Sequence, residues 1–254
     1  MSKQYANRIG SVPYLNSVPL TCGIEEETSF VMPSKLAEQL RVGELDAALV
    51  SITEVLFHDG YDVLDSVAIA SHGPVKSVFL AHRQSLEEIQ TIHCDIASLT
   101  SVNLLRVLLA ERGLVPAFEP LTDYSQAAAL NNVLLIGNHG IDFLHAPHHH
   151  AIWDLGAAWH ELTGLPFVYA AWALRRNQHD EALRAKLLTA KKNGLANLAQ
   201  IIAKHPDYDA EFRQAYLGGH IRYDLGGLEK AGLNKFVELL KTQSDKPVFE
   251  PAFV

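Results

Sequence analysis

Short apolar runs of strand length alternate with helical patterns through the first two-thirds of the chain, and this alternation constrains the fold more than any other feature. The runs are Arg8–Val12, Ala47–Val50, Val63–Ala70, Ser77–Ala81, Ile92–Ala97 and Val133–Ile136. Apolar runs of this length read as buried strands. In the segment 33–50, Leu36 and Leu40 are spaced i, i+4, Ser34 is expected as N-cap, and Gly43 stands where a helix would stop. Val102 to Arg112 puts Val102, Leu105, Leu108 and Leu109 on one face, with Thr100 and Ser101 before it and Gly113 after it. Strands alternating with helices imply an α/β fold with mostly parallel sheets. Beyond Trp172 the pattern turns helical. Leu183, Leu187, Leu188, Leu195, Leu198 and Ile202 share one face of a long helix, and a shorter helix is expected at Leu228–Leu240. Gly194 lies inside the long one, where glycine costs about 1 kcal/mol relative to alanine. Two α/β halves with a helical tail returning to the first predict a two-lobed molecule with a cleft.

Composition narrows the function classes. Of 254 residues, 48% are hydrophobic and 20% charged, which excludes disorder for the bulk of the chain. No stretch approaches the ~20 apolar residues of a membrane span. The segment MSKQYANRIG lacks the apolar core of a secretory signal, so a cytoplasmic location without membrane partners is expected. The net charge of −8 argues against a nucleic-acid partner. Cys22 and Cys94 have neither disulfide-framework nor metal-ligand spacing and read as small buried hydrophobes. The histidines of HAPHHH, His145 to His150, lack a companion ligand set and are expected to form a polar surface loop, with no metal. Dinucleotide, P-loop and GxSxG motifs are absent from the sequence. Trp153, Trp159 and Trp172 read as packing residues.

In α/β clefts the ligand lies where strand ends meet helix N-termini. Four segments occupy such places: Pro13–Asn16, Ser51–Glu54, Thr100–Ser101 and Ile136–His139. Asn16 either caps a helix or offers an uncharged amide that can donate and accept. Thr100 and Ser101 either cap a helix or bind a carboxylate or phosphate there. Ser77 could add a hydroxyl, while Lys76 beside it reads as a strand-edge charge. Gly137 either makes an ordinary turn or lets a ligand approach the backbone.

The segments RIGSVPYLNSVPL, PSKLAEQLRVGELDAALVSITE, SHGPVKSVFLAH, TSVNLLRVLL, LLIGNHG and DLGAAWHELTGLPFVYAAWAL occur in an order that resembles the chorismate dehydratase family of menaquinone biosynthesis by the futalosine route. The resemblance spans roughly residues 8 to 240. The first loop, SVPYLNS, differs from the S-P-C-P-N-D type of the sister family that makes 1,4-dihydroxy-6-naphthoate. The resemblance implies a two-lobed type II periplasmic-binding-protein-like fold with a helical C-terminal segment on the first lobe. Residues 1–82 and 168–254 would form that lobe and 83–167 the second, joined by crossing strands at Lys76–His82 and Phe167–Leu174. It also implies conversion of chorismate to 3-[(1-carboxyvinyl)oxy]benzoate and water without a cofactor. Asn16 would be catalytic, with Tyr14, Ser77, Thr100, Ser101, Gly137 and Asn138 binding substrate. The proton acceptor would be the substrate's own enolpyruvyl carboxylate, or Glu54. Two departures stand out: the family commonly has Asp where this chain has Asn138, and its PSIE segment reads SITE here. The competing function is a cytosolic module that binds small carboxylates without reacting them.

Overall fold

The apolar runs become the interior strands of two mixed sheets. A computed structural model describes residues 8–95 and 97–254. The N-terminal residues 1–7 and Ile96, the latter inside the run expected as a strand over Ile92–Ala97, lie outside the described residues. In chain order the strands are β1 (Ile9–Ser11), β2 (Thr28–Phe30), β3 (Ala47–Ser51), β4 (Tyr61–Ser71), β5 (Val78–His82), β6 (Thr91–Cys94), β7 (Ala117–Pro120), β8 (Asn132–Ile136), β9 (Ala151–Asp154), β10 (Phe167–Arg175) and β11 (Ala252–Phe253). The first sheet has the order β11-β4-β10-β3-β1-β2, the second β7-β6-β8-β5-β9. Both are more mixed than the alternation suggested. In the first sheet β10 runs antiparallel to both its neighbours, and β5 does so in the second.

The helices are α1 (Pro33–Arg41), α2 (Ile52–Phe57), α3 (Leu99–Ala110), α4 (Gly137–His145), α5 (Leu155–Thr163), α6 (Glu181–Ala196), α7 (Leu198–Lys204), α8 (Ala210–Ala215) and α9 (Gly227–Gln243). Met32, not Ser34, caps α1, because Pro33 occupies the first helical position, where its missing N–H is harmless. The expected long helix is two, broken at Asn197. Gly194 has a packing reason: a Cβ there would overlap the Pro19 carbonyl, so α6 crosses directly over the 3₁₀ turn Leu15–Leu20. The tail is fixed to the first sheet by α6 packed on that turn, by β11 paired with β4, and by a bridge from Arg222 to Ala70.

The chain changes sheet within 72–77 and returns between Asp154 and Phe167. Val78–His82 therefore pairs inside the second sheet rather than crossing from the first, and β10 lies in the first sheet along its whole length. The DLG segment secures the first change. The Asp154 carboxylate caps α5 through Ala157 N–H (3.0 Å) and accepts from the N–H groups of Val75 (3.1 Å) and Lys76 (2.8 Å). At Gly156, a Cβ would meet the Gly73 carbonyl at 2.5 Å and the Tyr169 hydroxyl at 2.7 Å, so only glycine fits. Trp159 and Trp172 are buried in the core, whereas Trp153 sits half-buried on edge strand β9, under the Arg112 guanidinium at 4.7 Å.

Candidate functional site

A narrow cavity opens between the sheets at the carboxyl ends of β1, β3 and β8. Its walls are Val12, Tyr14, Asn16, Pro33, Leu49 and Ser51 from the first half. Across from them lie Ser98, Ile136 and Gly137, with Ile69, Tyr169 and Ala170 at the base. It holds about 70 Å³, far below the ~300–1,000 Å³ of a typical small-molecule pocket. A ligand of even ten carbons enters only when the walls part. None of these lining residues is an arginine, lysine, aspartate or glutamate.

Of the residues singled out in the sequence, Tyr14, Asn16 and Gly137, with Ser51 and Ile136 from the strand-end segments, reach the cavity wall. Asn16 is not a cap: the 3₁₀ turn begins after Tyr14, and its N-terminus has no side-chain cap. Its Nδ2 donates to the Tyr216 hydroxyl (3.2 Å), and its Oδ1 is buried without a partner. Gly137 has φ +54, and a Cβ there would press on the Tyr14 ring at 3.2 Å, so glycine admits the ring as well as the turn. The Tyr14 hydroxyl is also buried and unpartnered. Burial and the nearby Asp95 charge raise its pKa.

Ser77, Thr100, Ser101 and Asn138 stand directly behind the wall. The Asn138 Oδ1 accepts from Leu15 N–H (3.4 Å), joining α4 to the turn that carries Asn16. The Ser77 Oγ accepts from the Tyr216 hydroxyl (2.8 Å). Helices α2 and α3 cap each other: Thr100 N–H donates to Ser51 Oγ (3.1 Å), Thr53 N–H donates to Thr100 Oγ1 (2.9 Å), and the two hydroxyls are hydrogen-bonded together. Thr100 is wholly buried, so its proton goes to Ser51, and the Ser51 proton is left to face the cavity. The N-cap of α3 is Ser98, whose Oγ accepts from Ser101 N–H (3.4 Å) and Ser101 Oγ (3.3 Å). Ser51, Ser98 and Ser77 thus each have an acceptor site filled and a hydroxyl proton to spend.

Glu54 does not reach the cavity. It lies buried in α2 beside the Arg41 guanidinium (Oε1–Nε 3.0 Å), because the SITE segment starts a helix that turns the carboxylate toward the end of α1. The histidine segment is a surface loop in part: His145 and His149 are exposed, while His148 is half-buried and His150 buried. His148 stacks on Phe143, His145 packs against Tyr208 and Phe212, and His150 Nε2 meets the Leu130 carbonyl at 2.6 Å. Among the described residues, no group of three or more His, Cys, Asp and Glu is placed to hold a metal ion. The Cys94 thiol is pushed up to about 12 by burial and is unreactive.

Sequence reasoning missed Tyr216, Ser98 and Tyr169. The one available hint of Tyr216 is the i, i+4, i+8 spacing of Tyr208, Phe212 and Tyr216, which places three aromatic rings in a row. Tyr208 reaches back across the cleft to α4, its hydroxyl donating to Asp142 Oδ1 (2.9 Å) and the Asn138 carbonyl (3.4 Å).

Two sheets meeting over a cavity lined by strand ends and helix N-termini define a two-lobed fold of the periplasmic-binding-protein-like class. Protein AF1704 from Archaeoglobus fulgidus has this fold with a TM-score of 0.74 at 16% identity, covering 94% of this chain and 98% of that one. The periplasmic aliphatic sulphonate binding protein SsuA from Escherichia coli gives 0.59 at 17% identity, covering 98% and 93%. Residues 7–242 match the family model described as menaquinone biosynthesis. A chorismate dehydratase from Thermus thermophilus is 32% identical over 256 residues, covering 91% of this chain and 94% of that protein. One from Campylobacter jejuni is 28% identical, covering 93% and 95%. The chain belongs to this menaquinone biosynthesis family.

Proposed function

We propose that this chain is a cytoplasmic hydro-lyase that converts chorismate to 3-[(1-carboxyvinyl)oxy]benzoate and water. The two sheets act as lobes that part to admit substrate and close to exclude water. Family membership supports the reaction, and the observation that carries the site assignment is the unpartnered Oδ1 of Asn16 in the cavity wall.

Chorismate has two carboxylates, a ring hydroxyl and an enolpyruvyl ether. A wall without charged side chains binds the carboxylates through hydroxyl protons and helix N-terminal amides. Ser51 and Ser98 in the wall supply the protons, with Ser77, Thr100, Ser101 and Asn138 bracing the groups that line the cavity. Tyr14 and Gly137, packed on each other from opposite walls, complete the surface. The ring hydrogen that is lost is vinylogous to the ring carboxylate, so its removal leaves a stabilised carbanion. Departure of the neighbouring hydroxyl then completes the aromatic ring. Carbon gains and loses no electrons overall, so no redox cofactor is required. The enolpyruvyl carboxylate takes the ring proton, since Glu54 faces Arg41, away from the cavity. The proton leaves with the hydroxyl as water. Asn16 holds that hydroxyl without adding a negative charge that would repel the substrate. What remains for the protein is orientation and water exclusion.

The second reading, a carboxylate-binding module, is favoured only by the fold shared with the sulphonate-binding protein. The sister naphthoate-forming activity is disfavoured by the SVPYLNS loop. Steady-state kinetics on Asn16→Ala and Asn16→Asp, with circular dichroism, test the site. Asn16→Ala is expected to abolish turnover with the fold intact, and Asn16→Asp to weaken chorismate binding as well. Near-wild-type kcat/KM in Asn16→Ala would remove Asn16 from the site.

A further inference from the structure

We propose that Tyr216 is a positioning residue that fixes which end of the Asn16 amide faces the substrate, an inference that rests on the chorismate dehydratase reading. An amide side chain is nearly symmetric in shape but opposite in chemistry at its two ends. Whether Asn16 presents a carbonyl or an N–H to the cavity decides what it binds.

Tyr216 settles that choice. It opens the π-turn Tyr216–His220 at the end of α8 and is 1% exposed. Single π-turns of this kind often mark functional positions. Phe212 stacks on its ring at 5.4 Å, 18° from parallel. Its hydroxyl proton is committed to Ser77 Oγ at 2.8 Å, so its oxygen is free only to accept, and it accepts from Asn16 Nδ2 at 3.2 Å. Burial pushes the phenol up to about 12, so it stays a neutral donor near pH 7. With one Nδ2 hydrogen held by Tyr216, the amide is kept from turning over, and the buried, unpartnered Oδ1 is the end that meets the ligand.

A carbonyl there matches the substrate's hydroxyl, its only O–H donor when both carboxylates are ionised. It also rejects the carboxylates, which are acceptors. Were the amide turned over, Asn16 would offer N–H groups and draw a carboxylate into the place of the leaving hydroxyl. Tyr216 thus enforces the substrate's pose without touching the substrate.

The test is Tyr216→Phe in the full chain, beside wild type and Asn16→Ala. Chorismate turnover by Tyr216→Phe is expected to fall in kcat by up to about a hundredfold, the scale of a small misplacement. Affinity for the aromatic product, which lacks the hydroxyl, should stay within about threefold. In the inactive Asn16→Ala background, adding Tyr216→Phe should leave calorimetric chorismate affinity unchanged. A kcat within about threefold of wild type overturns the proposal. Product affinity falling as far as kcat, or a further loss of chorismate affinity in the double variant, shows mere packing and overturns it too. Should Tyr216→Phe not fold, side-chain amide exchange in the wild type decides. One slowly exchanging Asn16 Nδ2 proton supports the proposal, and two fast ones overturn it. Failure of the underlying reading looks different: no wild-type turnover removes the reaction, and an active Asn16→Ala removes the amide, each taking this role with it.

Discussion

Replacing Gly194 by alanine sets two effects against each other, and the structure says which wins. In an isolated helix the change would stabilise by about 1 kcal/mol. Here the new methyl would overlap the Pro19 carbonyl oxygen, with the Pro19 carbonyl carbon at 2.5 Å and Cα at 2.7 Å. Both partners are backbone, so no rotamer relieves the contact, and α6 and the Leu15–Leu20 turn must separate by about 1 Å. Overpacking of this kind costs typically 1–3 kcal/mol or more. The net effect is a loss of up to about 2 kcal/mol, at about 2–4 °C in Tm per kcal/mol for a chain of this size. Activity should suffer more than stability, because the displaced turn carries Asn16, and a shift of 1 Å can lower a rate about a hundredfold. Denaturant melts and steady-state chorismate turnover measure the two. A Gly194→Ala variant more stable by about 1 kcal/mol with unchanged kcat would refute the argument.

Three further substitutions probe other parts of the account. Thr100→Ala strands the Thr53 N–H and should destabilise by about 1–3 kcal/mol, with product affinity in calorimetry changed less than about threefold; a large affinity loss at unchanged stability would place Thr100 on the ligand instead. Tyr208→Phe removes the hydroxyl that reaches Asp142 across the cleft and should raise KM by about two- to tenfold through a looser closed state; an unchanged KM would mean this contact does not govern closure. Asp95 is held above the usual carboxylate range by burial, which outweighs the hydrogen bonds from Ala97 N–H and Tyr124. A raised carboxyl pKa makes the folded state hold its proton more tightly than the unfolded one, so stability falls as pH rises from the unfolded pKa through the folded one. Asp95→Asn should therefore raise Tm near pH 8, and the gain should shrink toward about pH 3, where both states are protonated; a variant less stable at pH 8 than at pH 3, relative to wild type, would reverse the sign.

How much of this was legible in the sequence follows from burial. The interior strands β1, β3, β4, β5 and β8 are buried along most of their length and β6 at alternate positions, and these six appear as apolar runs; β10 is as buried, but only the family resemblance marked it. The other four strands, β2, β7, β9 and β11, left no such pattern and are the sheet edges, short and largely exposed. An edge strand covered on one side at most carries little periodicity. The same logic applies to the site. Tyr14, Asn16 and Gly137 could be found because they follow strands. Glu54 was misjudged although Ser51–Glu54 has the S-x-x-E spacing of a helix start: Ser51 is the N-cap of a six-residue helix, and the Glu54 carboxylate, instead of facing the strand end, turns to Arg41. Tyr216 could not be reached locally, since it is 200 residues from Asn16. Its place depends on how α6 and α7 fold back, and on Gly194 letting α6 cross the turn.

The most direct test of the account is to incubate the purified protein with chorismate in the presence of a chelator and follow the aromatic product and its absorbance over time. The account predicts repeated turnover to 3-[(1-carboxyvinyl)oxy]benzoate and one water per chorismate, with no added cofactor. A chorismate-induced rise in Tm with no aromatic product would contradict it and make the chain a binding module.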